Sequence, residues 1–188
     1  YPFGNSATFY VDAGILIRRD IFDEIGGFDP KLFLYCEDRD LCWRVMLLGY
    51  KVQAVPLAIF KHDSFCAIDS EGRLTTNIKK RFMGEAFNLR MLLKNYSLPA
   101  LLGVLPRYFC INFAEIIFFS LCGKIRVAIF AYLKAYWWNI VNLKDTLRLR
   151  RMIQKARKVG DSVIRMRMYK GSGKFKLLKE VGIPRVST

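Results

Sequence analysis

The stretch that decides the fold is "GGFDPKLFLYCEDRDLCWRVMLLGY", residues 26–50. The glycine pair ends one short predicted helix, Asp29–Pro30 predicts a turn, and a second helix is expected to begin at "EDRD" and to end at Gly49. Acids in the first turn of a helix complement the positive end of its dipole. The concentration of carboxylates here is nevertheless unusual, because the whole chain has a formal net charge of +15.

The segments around this stretch predict an α/β layer. "ATFYVDAGILIRR" (7–19) is rich in β-branched and aromatic residues and predicts a strand, and "RDIFDEIGG" (19–27) predicts a short helix. After the second helix, "KVQAVPLAIFKH" (51–62) predicts one or two short strands. The order strand–helix–helix–strand favours an α/β architecture over a helical bundle.

Charge divides the chain into three predicted parts. Residues 1–77 hold 8 Lys/Arg and 11 Asp/Glu, residues 78–143 hold 9 and 2, and residues 144–188 hold 14 and 3. We therefore expect an acidic domain over 1–76, apolar and amphipathic helices over 77–143, and a basic helical tail over 144–188. The 53% hydrophobic content excludes a disordered protein, and the five cysteines without CxxC spacing favour buried reduced thiols.

Two strongly apolar segments suggest contact with a membrane. "PALLGVLPRYFCINFAEIIFFSLC" (99–122) and "VAIFAYLKAYWWNIVNL" (127–143) are both interrupted by charge, so neither is a confident span. They suit helices that lie in the membrane interface or a hairpin that dips into it, and a soluble helical subdomain is the alternative. The basic tail predicts anionic lipid headgroups as partner rather than nucleic acid, because it has no recognised nucleic-acid motif.

Three interpretations of the acidic run Glu37-Asp38-Arg39-Asp40 compete. The first is a charged helix N-terminus with no further role. The second is a calcium loop, but the required ladder of alternating acids with a later Glu is missing. The third is a catalytic carboxylate, because a hydroxyl nucleophile needs a base that is held rigidly within hydrogen-bond reach.

The stretch around this run resembles glycosyltransferase family 2, the inverting GT-A enzymes, and in particular its rhamnosyltransferase-like members. The resemblance covers about residues 9–65. It rests on a Gly-containing strand, Arg-Arg, Gly-Gly-Phe-Asp, an aromatic residue before Glu-Asp-x-Asp-Leu, then Arg, Gly-Tyr and a later His. It implies the acceptor-side half of a GT-A fold followed by an α-helical region. It also implies transfer of a sugar from a nucleotide-diphosphate sugar to a hydroxyl acceptor, with the fragment inactive by itself.

The resemblance also implies roles for individual residues. Asp38 would be the general base, and Gly14 would let the backbone approach the donor sugar. A divalent metal, Mg or Mn, would be held mainly by an N-terminal half that does not precede Tyr1 here. His62 would contribute to the metal or the diphosphate, with a purely structural histidine as the alternative. The remaining expected site residues are Glu37, Asp40 and Tyr35 in the acceptor cleft and Asp12 and Ala13 beside the donor sugar.

These expectations place the protein at the cytoplasmic face of the cell membrane, with a lipid-linked or surface-glycan acceptor. Two alternatives from other classes stay open at this point. One is a non-catalytic module that binds the membrane surface. The other, less favoured, is a basic protein whose affinity for nucleic acid falls steeply with salt.

Overall fold

A computed structural model describes residues 6–10, 14–59, 61, 75–171, 173–182 and 185–187. Its short strands are β1 (Ser6–Ala7), β2 (Gln53–Ala54), β3 (Thr75–Asn77) and β4 (Arg185–Ser187). Its helices are α1 (Arg19–Glu24), α2 (Glu37–Leu47), α3 (Ile78–Asn95), α4 (Leu98–Leu121), α5 (Ile125–Val127), α6 (Lys134–Val141), α7 (Leu143–Ala156), α8 (Asp161–Arg165) and α9 (Gly173–Val181), with a π-helical segment (Ala128–Leu133) between α5 and α6.

The chain divides into two compact units that interleave along the sequence. Unit 1 contains Tyr1–His62, Phe87–Leu101 and Leu143–Met168. Unit 2 contains Asp63–Ala86, Leu102–Asn142 and Tyr169–Thr188. In this division α3 contributes its first half to unit 2 and its second half to unit 1. The three consecutive parts expected from the charge distribution stay a prediction.

Unit 1 is built around α2, which is buried over most of its length. The Trp43 ring lies between the rings of Phe9 and Tyr96, with centroids 5.5 and 4.6 Å away. Trp43 is therefore a core residue of unit 1. The backbone N–H of Lys158 donates to the Leu47 carbonyl at 2.8 Å, so the segment after α7 is bonded to the end of α2.

Side chains of α7 satisfy the carbonyl groups at the end of α3. Arg150 donates to the carbonyl oxygens of Leu93 and Tyr96, each at 2.6 Å. Gln154 donates to the carbonyls of Lys94 and Asn95 at 3.0 and 3.1 Å. The last carbonyls of a helix have no partner within the helix. These hydrogen bonds therefore join α7 to the C-terminal end of α3, where carbonyl groups need partners from outside the helix.

Unit 2 is a helical assembly with a two-stranded parallel pair. Its core contains Phe119 of α4 together with Val127, Ala131 and Tyr132, and Ile78 and Ile116 pack against this cluster. β3 pairs in parallel with β4, with Thr75 opposite Arg185. In unit 1, β1 pairs antiparallel with β2, with Ser6 opposite Ala54.

The predicted helices appear close to their expected positions, whereas the predicted strands are short. α1 and α2 are confirmed, and α3 and α7 lie in the parts of the chain that are expected to be helical. Residues 14–18, expected to continue a strand, have no regular helix or strand hydrogen bonding, although their burial alternates along the chain. A strand needs a neighbour to pair with. Since the described strands are paired only two at a time, the α/β class stays a prediction.

Candidate active site

The first turn of α2 presents its acids in two different environments. Glu37 and Asp38 are partly exposed, whereas Asp40 has no exposed surface. Successive helix residues project about 100° apart, so a side chain two positions on points to a different side. The same short run therefore supplies two kinds of carboxylate. Solvent or a substrate can reach that of Asp38, whereas that of Asp40 is buried in unit 1.

Asp40 is held by three partners in the interior of unit 1. Arg44 donates through Nε to Oδ2 at 2.9 Å, one helical turn along α2. Lys94 donates to Oδ2 and Asn95 to Oδ1, at 3.0 and 2.9 Å, both from α3. The arginine that forms an ion pair with Asp40 is thus Arg44. A buried carboxylate with this set of donors anchors the helix.

A second buried carboxylate extends this network. Asp29, from the turn before α2, accepts from Arg90 at 2.8 and 3.2 Å and from Lys94 at 2.5 Å. Burial by itself would raise the pKa of Asp29, but the hydrogen bonds and charges of Arg90 and Lys94 outweigh it and hold that pKa well below its usual range. Arg90 also donates to Thr146 and Asp145 of α7, at 2.7 and 2.6 Å.

The network joins the turn before α2 and α2 itself to α3 and α7, which come much later in the sequence. Lys94 donates to both Asp29 and Asp40, so one ammonium group connects the turn and α2 to α3. Breaking a buried ion pair costs about 3–5 kcal/mol because it leaves an uncompensated charge. The position of the α2 N-terminus, and with it Asp38, is therefore fixed by charges in the interior.

The loop before α2 has a strained backbone and an apolar surface. Tyr35 has φ +82°, the one non-glycine residue with positive φ among the described residues. Its carbonyl accepts from Arg39 at 3.0 Å, and Arg39 also contacts the Cys36 sulfur at 3.1 Å. Phe33 is 68% exposed, and Leu34 and Tyr35 are exposed beside it. Strained residues that the surroundings hold in place are frequent at functional sites.

Several of the other predicted site residues are not described. Asp12, Ala13 and His62 lie outside the described residues, so their expected roles stay predictions. Gly14 is described and is exposed at the start of the irregular segment that leads to α1. Among the described residues, no group of three or more His, Cys, Asp and Glu is arranged to hold a metal ion. The part of the chain that the structure describes therefore offers no metal centre of its own.

Sequence analysis missed Asp29, Arg90 and Lys94 as determinants of this region. A signal was present, because Met83, Phe87, Arg90 and Lys94 follow one another at four-, three- and four-residue spacing along α3. That spacing places them on one helix face. Arg90 and Lys94 continue the apolar face of α3 and are therefore expected to be buried. A buried cation needs an acidic partner, and Asp29 and Asp40 are those partners.

Comparison with known proteins gives local similarity to glycosyltransferases. The chain is 45% identical over 42 residues to the rhamnosyltransferase WbbL of Escherichia coli K12, which is 22% of this chain and 16% of that protein. It is 32% identical over 59 residues to the pre-mycofactocin glycosyltransferase of Mycobacterium tuberculosis, 31% of this chain and 12% of that protein. No protein-family model and no solved structure matches. The chain thus aligns with a small part of each curated relative, and the similarity supports a glycosyltransferase-like function.

Proposed function

We propose that this chain is the acceptor-side part of an inverting GT-A glycosyltransferase of family 2. In this proposal the enzyme transfers a sugar from a nucleotide-diphosphate sugar to a hydroxyl group. The observation that carries it is the first turn of α2, where a partly exposed Asp38 stands two residues before a fully buried, three-donor Asp40. The local similarity to two glycosyltransferases supports the class of reaction.

The proposed chemistry is a single displacement in which Asp38 acts as the base. Its carboxylate accepts the proton of the acceptor hydroxyl while that oxygen forms a bond to the anomeric carbon of the donor sugar. The bond from the anomeric carbon to the diphosphate oxygen breaks, and its electron pair leaves with the nucleoside diphosphate. A base in such a step must be positioned before the substrate arrives. The ion network through Lys94 provides that rigidity for α2.

The residues around Asp38 fit the acceptor side of such a cleft. The exposed side chains of Phe33, Leu34 and Tyr35 lie immediately before α2 and offer an apolar approach. Tyr35 presents an aromatic ring together with a hydroxyl group, a combination suited to binding the face and the edge of a sugar. Gly14 is proposed to face the donor sugar. The divalent metal stays a prediction, and because the described residues hold no candidate ligand group, no step is assigned to it here.

The acceptor is proposed to be lipid-linked or part of a surface glycan, at the cytoplasmic face of the membrane. Among the described residues, α4 is long and apolar enough to cross a membrane by length and composition. It follows the α2 region in the same chain, and its surface is largely exposed. A membrane-bound acceptor would bring the hydroxyl to the enzyme within the plane of the lipid.

The proposed function is tested with the full-length protein that carries this chain. It is incubated with a panel of nucleotide sugars, either alone, with a membrane lipid extract or with soluble glycans, and release of nucleoside diphosphate is measured. The proposal expects release with one donor that rises at least tenfold when the extract is present. Release that no extract or soluble glycan increases, for every donor, would reject it. Rapid release with soluble glycans alone would reject the lipid-linked acceptor and leave sugar transfer in place.

A further inference from the structure

The apolar part of unit 2 is a helical hairpin. α4 runs to Leu121, a short turn follows, and α5, the π-helical segment and α6 return along it. Phe119 near the end of α4 contacts Tyr132, with ring centroids 6.4 Å apart. Phe109 near its middle contacts Tyr136, at 5.7 Å. We call α5, the π-helical segment and α6 together the second helix of the hairpin. Its later residue, Tyr136, contacts an earlier residue of α4 than Tyr132 does, so the two helices are antiparallel.

One face of each helix in the hairpin is a continuous apolar stripe, which the described residues of the chain leave exposed. A four-residue repeat advances by about 40° per step around an α-helix. In the second helix, the π-helical segment has more residues per turn than an α-helix. A four-residue step there turns in the opposite sense, which keeps the stripe on one side of the second helix. The stripe residues are Leu102, Phe109, Phe113, Ile117 and Leu121 in α4, and Ile125, Ile129, Leu133, Trp137 and Val141 in the second helix.

The middle of α4 carries a polar cluster on a different face. Glu85 of α3 accepts from Tyr108 and Asn112, at 3.1 and 2.9 Å. Lys174 of α9 donates to Asn112 and Glu85, each at 2.7 Å. Both Glu85 and Asn112 are buried. Two further helices, α3 and α9, are thus bonded to the middle of α4 through charged side chains.

The bonding of α9 to the middle of α4 favours a hairpin that lies in the membrane surface over a hairpin that crosses the membrane. α9 carries Lys176, Lys179 and Glu180 on the protein surface, and it is bonded to α4 at mid-length. If α4 crossed the bilayer, these charges would be carried to the depth of the acyl chains, where ionised side chains are strongly disfavoured. Lying in the plane, α4 keeps its stripe in the lipid and α9 in water.

Exposed cations flank the stripe and indicate which lipid it meets. Lys124 and Arg126 lie at the hairpin turn, and Arg107 and Lys134 lie along the two helices. Trp137, in the stripe, has the amphipathic ring that favours the headgroup level. Helices with an apolar face, basic flanks and an interfacial Trp bind anionic membrane surfaces.

We propose that the hairpin formed by α4, α5, the π-helical segment and α6 is a monotopic anchor that lies in one leaflet of an anionic membrane. Its turn stays on the same side of the membrane as α9. The inference rests on the membrane partner of the proposed function, and it does not depend on Asp38 or on sugar transfer. It extends that function by assigning the surface and the mode of binding.

Sided cysteine labelling of the full-length protein tests this anchor. Cys66 and the exposed Cys110 are replaced by serine, so that Cys122, exposed at the turn, is the reactive cysteine, and two further variants without Cys122 carry Phe113→Cys in the stripe or Lys176→Cys on α9. Cys36 and Cys42 are buried and are left in place. A membrane-impermeant maleimide is applied to sealed vesicles that expose the cytoplasmic face and to vesicles that expose the opposite face, with SDS-denatured samples as reference.

The anchor predicts that Cys122 and Lys176→Cys are labelled at least tenfold faster in vesicles that expose the cytoplasmic face. It also predicts that Phe113→Cys is protected at least tenfold in both types of vesicle. Labelling of Cys122 from the opposite face alone would show a spanning hairpin and overturn the inference. A protein that does not float with anionic vesicles, with Phe113→Cys protected in a soluble dimer, would assign the stripe to a second copy and overturn it too. The same labelling of Asp38→Asn separates this result from the test of sugar transfer.

Discussion

Replacing Lys94 by methionine tests whether the buried charges hold α2 in place. The ammonium group is 2.5 Å from Asp29 Oδ2 and 3.0 Å from Asp40, and its side chain is 1% exposed. Methionine preserves most of the volume and removes the charge from two buried carboxylates. Removing one partner of a buried pair costs about 3–5 kcal/mol. Because Asp29 keeps Arg90 and Asp40 keeps Arg44, we expect the lower end, about 3 kcal/mol.

Amide hydrogen exchange measures this effect within α2 of the full-length protein. A loss of about 3 kcal/mol in the free energy of local opening corresponds to exchange that is roughly a hundredfold faster, since each 1.4 kcal/mol is about a factor of ten. The matched control is Lys158→Met, whose side chain is 58% exposed and 3.5 Å from Glu24. An exposed pair contributes about 0–1 kcal/mol, so its exchange should change less than about fivefold. If Lys94→Met left exchange in α2 within fivefold of wild type, the anchoring role of the network would be refuted.

Three further outcomes are expected. Tyr35→Gly should unfold at the same or a higher denaturant concentration, because glycine adopts φ +82° without the cost of about 1–2 kcal/mol that an L side chain carries there, and Tyr35→Val should unfold at a lower one. The pKa of Asp29 is lowered on folding, so its stabilisation is complete above about pH 4 and is lost as the pH falls below that value. Acid unfolding of Asp29→Asn should therefore depend less steeply on pH than that of wild type, and equal slopes would contradict the assignment. Burial raises the pKa of the Cys36 thiol to about 11, so mass spectrometry at pH 8 should find it unmodified by iodoacetamide while exposed Cys122 is modified.

Much of the local structure around α2 is predictable from the sequence. The glycine pair, the Asp-Pro turn and the acids in the first helical turn predict where α2 begins, and α2 begins at Glu37. The positive φ of Gly26 and Gly27 agrees with the predicted end of α1. These features are local, because each depends on residues within one helical turn of another.

The different environments of Asp38 and Asp40 could not be predicted in the same way. The partners of Asp40 on α3, Lys94 and Asn95, lie 54 and 55 residues later in the chain. Sequence spacing fixes which residues share a helix face, but it does not fix which faces meet. The expected cleft role of Asp40 therefore stays a prediction, while the structure shows the buried contacts that it makes.

The division into two units was also beyond the sequence. Charge composition changes near Asn77, and this suggests a boundary before α3. That boundary stays a prediction, and in the structure Phe87–Leu101 belongs to unit 1 together with Leu143–Met168. The reason is long-range pairing of polar groups: Arg150 and Gln154 satisfy the end of α3, and Arg90 binds Asp29. Composition averages over such pairs and does not reveal them.

The central claim is that Asp38 is the base, and the most direct test is the turnover of Asp38→Asn in the full-length protein with its preferred donor. Asp23→Asn is the matched control, because Asp23 is an exposed carboxylate of α1 that pairs with Arg19 at 2.8 Å. General base catalysis contributes about 10²–10⁴-fold, so kcat should fall at least a hundredfold in Asp38→Asn, with donor affinity unchanged and with Asp23→Asn equal to wild type. Turnover of Asp38→Asn within threefold of wild type would show that the acids only stabilise the helix N-terminus, and the proposed site would be contradicted.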